Sequence, residues 1–185
     1  PLLRRLALLC TALVLAITSL SAYIRLERAG LSCAGWPACY GEVLRVAQQG
    51  LTASAPEHGA ATVARFAHRV IASAALLLVV TMLVVCWTAK PARRAEGGVA
   101  LALLALALAL AVLGRWSSDA RIPAVAIGNL LGGFAMLALS WRLAREGGAT
   151  LPTRTRVWAA FGALLLAAQV ALGGLVSASF AATSC

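Results

Sequence analysis

Five apolar runs, residues 6–23, 66–87, 97–113, 124–141 and 157–176, constrain this 185-residue chain more than any other feature. Each approaches the roughly 20 residues that carry a helix across the hydrocarbon core of a bilayer. In that medium every backbone N–H and C=O must be satisfied within the segment, so runs of this length have to be helices. Hydrophobic residues make up 62% of the chain, more than a water-soluble domain can bury. The expected fold is therefore an all-α integral membrane protein, a polytopic helical bundle with five transmembrane helices. The third run is the shortest, and its Leu/Ala repeat between Ala100 and Ala111 carries no chemistry. The first follows Arg4-Arg5 and ends near Ser21, as a secretory signal would, but with four further runs behind it we read it as an uncleaved helix.

A formal net charge of +10 would point to nucleic acid in a soluble protein. Here the arginines sit at the ends of apolar runs, where they snorkel and set orientation, so nucleic-acid binding is discarded and the bilayer is the partner. With the amino terminus inside, nine cations (Arg4, Arg5, Lys90, Arg93, Arg94, Arg142, Arg145, Arg154, Arg156) face the cytoplasm. Seven (Arg25, Arg28, Arg45, Arg65, Arg69, Arg115, Arg121) lie outside. That balance predicts a multi-pass protein of the inner (plasma) membrane with its amino terminus cytoplasmic and the 25–64 loop on the periplasmic side.

This loop is the one long connection, and long ordered loops usually cover or build a site. Gly30, Gly35, Pro37 and Gly41 mark turns in it, and residues 42–49 alternate in a way that fits a short interfacial helix. Cys33 and Cys39 are close enough to close a small disulfide ring outside the membrane, where such bonds persist. Two reduced thiols or a metal pair are the alternatives. Cys10 and Cys86 lie within apolar runs and read as packing residues.

His68 opens the second run. An ionisable residue in a transmembrane helix is a functional candidate by default, and neutral imidazole is the usual haem iron ligand. A histidine at the interface bonded to a loop carbonyl is the blander alternative. Arg25, Arg69, Arg115 and Arg121 fall at the outer ends of four helices. They either snorkel to lipid phosphates or form a ring of cations for carboxylates, which guanidinium pairs through two hydrogen bonds. His58, beside Glu57 in the polar loop, reads as solvated.

Laid on itself at an offset of 152 residues, the chain repeats: Leu13, Ala16, Leu20, Ala29, Ser32 and Cys33 meet Leu165, Ala168, Leu172, Ala181, Ser184 and Cys185. The repeat divides the chain into a first four-helix unit, 1–151, carrying the cysteine loop, and 152–185, the first helix of a second, truncated unit. Small residues at Gly128, Gly132, Gly133, Gly173 and Gly174 would permit close helix contact. Pro1 in place of an initiator Met and the stop at Cys185 point to a fragment of a longer protein.

The segment from Arg25 to Cys39, with its Ala29-Gly30-Leu31 and Trp36-Pro37 steps, the His68-Arg69 pair, Leu113-Gly114-Arg115-Trp116 with Pro123 after it, and Leu172-Gly173-Gly174 running to Cys185 resemble the haem A synthase family. The likeness covers nearly the whole chain in order and corresponds to the first half of a pseudo-duplicated eight-helix protein plus the next helix. It implies a membrane oxidoreductase of cytochrome oxidase biogenesis. Such enzymes oxidise a methyl group of haem O to the formyl group of haem A, with haem b as cofactor in one half and the substrate haem in the other. Partnership with a haem O synthase or with oxidase-assembly proteins follows from that role, and a half-length bundle is expected to self-associate. In the family's first half two histidines, on the second and fourth helices, face one porphyrin, and a glutamate precedes the first by one turn. His68 matches the first histidine, whereas Arg65 stands at the glutamate and Asn129 at the second histidine. An amide is a poor iron ligand, so two-histidine ligation does not carry over. A non-catalytic haem-binding or assembly protein with a degenerate site is the alternative function.

Overall fold

The structure, a computed structural model, describes residues 2–28, 59–89, 91, 93–116, 123–145 and 152–178. These form five helices: α1 (Leu2–Arg28), α2 (Gly59–Thr88), α3 (Arg94–Trp116), α4 (Pro123–Ala144) and α5 (Thr153–Ala178). All five are long and apolar enough to cross a membrane, and the described residues contain no strand.

Every helix overruns its apolar run, most of all α2, which begins at Gly59 rather than near Phe66. The residues ahead of Phe66, from Ala60 to Ala64, are small or β-branched with no Gly, Pro or acidic residue, so nothing in them stops a helix. Helix length does not follow run length: α3, built on the shortest apolar run, has 23 residues, whereas α4 has 22. Arg94 and Arg115 close the two ends of α3 outside its apolar stretch, which lengthens it.

Helix α1 packs on α2 and α4, and α3 packs on the same two, so the first four helices close a ring in which α2 and α4 lie across from each other. The remaining contact is α5 against α4. One end of the ring is tightly filled: Ala7, Cys10, Val79, Met82, Cys86, Ala100 and Leu103 are fully buried there. Cys10 and Cys86 are reduced and buried in this core, as expected of packing residues. A hydrogen bond ties α1 to α4 in the same region, from Thr11 Oγ1 to Ser140 Oγ at 3.1 Å, and Ser140 has no exposed surface.

Glycines set the spacing on α4. A Cβ on Gly132 would meet Leu110 Cδ2 of α3 at 2.5 Å, and one on Gly133 would meet Thr18 Cγ2 of α1 at 2.9 Å. Adjacent glycines thus let one helix approach two neighbours at once. On α5, a Cβ on Gly174 would meet Ile127 and Leu130 of α4 at 3.4 Å, whereas one on Gly173 would meet nothing within 4 Å, so only Gly174 serves the close contact. Residues 153–169 of α5 are exposed throughout, so this helix touches the ring by its last turns only.

Candidate functional site

The end of the ring opposite the dense core holds every described candidate residue. Here α1 and α3 finish and α2 and α4 begin. Burial along α2 marks an inward stripe through Ala64, Ala75, Val79 and Met82, and His68 falls on it, one turn beyond Ala64 and two before Ala75. On α4 the inward stripe runs through Val125, Gly132, Gly133, Met136 and Ser140, and Asn129 falls on that one, one turn after Val125. Both side chains are half-buried. A histidine and an amide therefore look into the ring from helices on opposite sides of it.

His68 lies nine residues into α2, about 13 Å from the helix start at 1.5 Å per residue, so it is flanked by helix rather than placed beside a loop. Among the described residues no side-chain hydrogen bond is made by His68 or Asn129, and the charge acting on the imidazole is that of the adjacent Arg69. Arg65 stands three positions before His68 and donates from Nη2 to Thr62 Oγ1 at 3.3 Å.

The candidate cations separate by helix phase. Arg25 is half-buried three turns beyond the core residue Val14, on the inward side of α1. Arg69 and Arg115 are at the same end of the bundle but exposed. Cys33, Cys39, His58, Arg121 and Cys185 lie outside the described residues. Among the described residues no group of three or more His, Cys, Asp or Glu side chains is placed to hold a bare metal ion.

Side chains beside His68 on the inward stripe of α2 are small, Ala64 and Ala75, whereas on α4 Gly132 and Gly133, one turn beyond Asn129, are closely packed by Leu110 and Thr18. Of the two facing groups, the imidazole would hold a haem iron readily and the amide would not. An inward guanidinium, Arg25, supplies a partner for a carboxylate.

A family profile described as cytochrome oxidase assembly protein matches residues 4–185. A curated relative, heme A synthase of Shewanella oneidensis, is 31% identical over 199 aligned residues, covering 98% of this chain and 58% of the relative. The chain thus spans less than two thirds of that relative's length. No solved structure matches it significantly.

Proposed function

The chain belongs to the cytochrome oxidase assembly protein family, that of the haem A synthases, and from this premise we propose that its four-helix ring is a haem-holding unit of a haem A synthase-type protein. The observation that carries the reading is the placing of His68 and Asn129 on the inward stripes of opposed helices, at the end of the ring away from its dense core. His68 would hold the iron through its imidazole. Asn129, on the opposed helix, would offer an amide that can donate or accept a hydrogen bond but is a poor iron ligand. Arg25 pairs with a propionate, with Arg69 and Arg115 completing the positive rim at the membrane surface.

In the complete protein this unit serves the oxidation of the haem O methyl group to the formyl group of haem A, during cytochrome oxidase assembly. Bound haem b supplies redox-active iron; the protein supplies the ligand, the dry apolar walls and the cations that fix its orientation. Residues 1–151 form this unit and 152–185 begin a second, a division supported by the sequence repeat and by the contact of α5 with α4 alone of the described helices. The amino terminus is cytoplasmic and the Cys33–Cys39 loop periplasmic, where the two thiols form a disulfide. One substitution favours a second reading: Asn129 in place of a ligating histidine suits a haem-binding assembly protein without catalysis.

A pyridine haemochrome assay on the detergent-purified chain, beside His68→Ala, tests the proposal. Haem in the parent and its loss in the variant is the expected result; equal haem in both would overturn ligation by His68. Conversion of haem O to haem A by the full reading frame separates the enzyme from the non-catalytic binder.

A further inference from the structure

At the end of the bundle remote from His68, a cleft of about 500 Å³ opens on the lipid-facing side of the α1–α4 contact, lined by Arg4, Leu8, Trp141, Ala144 and Arg145. Its composition is graded with depth. Arg4 and Leu8 are one turn apart on α1, Arg145 and Trp141 one turn apart on the oppositely directed α4. Two guanidinium groups therefore sit at the mouth, while a leucine and an indole lie about 6 Å deeper toward the hydrocarbon. Ala144 forms a floor that is 4% exposed, and its small side chain leaves the volume open.

The sign of the cleft is set by the side chains. The start of α1 contributes roughly half a positive charge and the end of α4 roughly half a negative one, so the helix dipoles cancel and the two arginines remain. Among the described residues neither the Arg4 nor the Arg145 guanidinium has a hydrogen bond or an ion pair. Trp141 is 51% exposed at the depth where indoles anchor to the glycerol and headgroup layer.

We propose that this cleft is a binding site for an anionic phospholipid, its phosphate between Arg4 and Arg145 and the start of its acyl chains against Leu8 and Trp141. Basic pockets between transmembrane helices hold lipid head groups by this chemistry. An acidic protein segment would satisfy the arginines but not the apolar step beneath them, which faces hydrocarbon. The site shares no residue with the haem reading and stands or falls apart from it.

The test is native mass spectrometry of the full chain titrated with phosphatidylglycerol, with zwitterionic phosphatidylethanolamine, and with inorganic phosphate. Phosphatidylglycerol should be retained in preference to the other two. In R4Q/R145Q its retention should fall about thirtyfold, the effect of two arginines near an anionic surface. The control R154Q/R156Q removes the same charge from α5 at the same membrane face, outside the cleft, and should retain lipid as the parent does. Leu8→Trp fills the apolar end with both charges kept and should also weaken retention, which provides a reading if the double variant does not fold. Equal loss in the control would reduce the effect to diffuse surface charge, binding of inorganic phosphate at the same strength would reassign the site to the free ion, and unchanged retention in Leu8→Trp would remove the cleft; each overturns the proposal.

Discussion

Asn129 stands on the inward stripe of α4, across the ring from His68. If, as proposed, His68 alone holds a haem iron, the ferric chain should show a high-spin spectrum. Asn129→His should convert it to a six-coordinate low-spin form, read by visible absorption and electron paramagnetic resonance. An identical spectrum in both proteins would mean that position 129 does not address the iron. His68 was legible from the sequence because an ionisable residue among apolar ones is conspicuous. Which arginine accompanies it was only partly legible: their level beside His68 favours Arg25 and Arg69 over Arg115, but the helix phase set by packing turns Arg25 inward and leaves Arg69 as exposed as Arg115.

Between helices, the adjacent Gly132 and Gly133 hold α3 and α1 at short range through Leu110 and Thr18. Gly132→Ala pushes against three atoms of Leu110, Cγ among them, so the whole side chain must move. Overpacking of this kind should cost about 1–3 kcal/mol, seen as a lower melting temperature in detergent, and Leu110→Ala in the same chain should restore most of it. Gly162→Ala on α5, with nothing within 4 Å, is the contrasting case. It should be neutral or gain up to about 1 kcal/mol from the lost backbone freedom. The five spans could be read directly from hydropathy, because lipid allows a long apolar run no alternative. Their ends could not: α2 continues back to Gly59 through residues that permit a helix without demanding one. Nor could hydropathy tell that Gly174 faces α4 while its neighbour Gly173 faces open space, since the two differ only in azimuth around the helix.

For the molecule as a whole, the ring of α1 to α4 contains every described site residue, and α5 adds only an outer contact near Ile127 and Leu130. Residues 1–151 expressed alone should therefore keep the haem content of the full chain, measured again by pyridine haemochrome. Loss of haem on removing 152–185 would show that α5 supports the site, against the division proposed. The ring also fixes an order of events. Three of its four helix contacts join helices that follow one another in the chain, and these can form as each helix leaves the insertion machinery. The α1–α4 contact is the exception, with the Thr11–Ser140 bond spanning 129 positions. Until the fourth helix arrives, His68 faces a gap with no opposite wall, so on the proposed reading cofactor capture would be a late step of biogenesis, and a ribosome stalled before α4 would leave a nascent chain unable to retain haem.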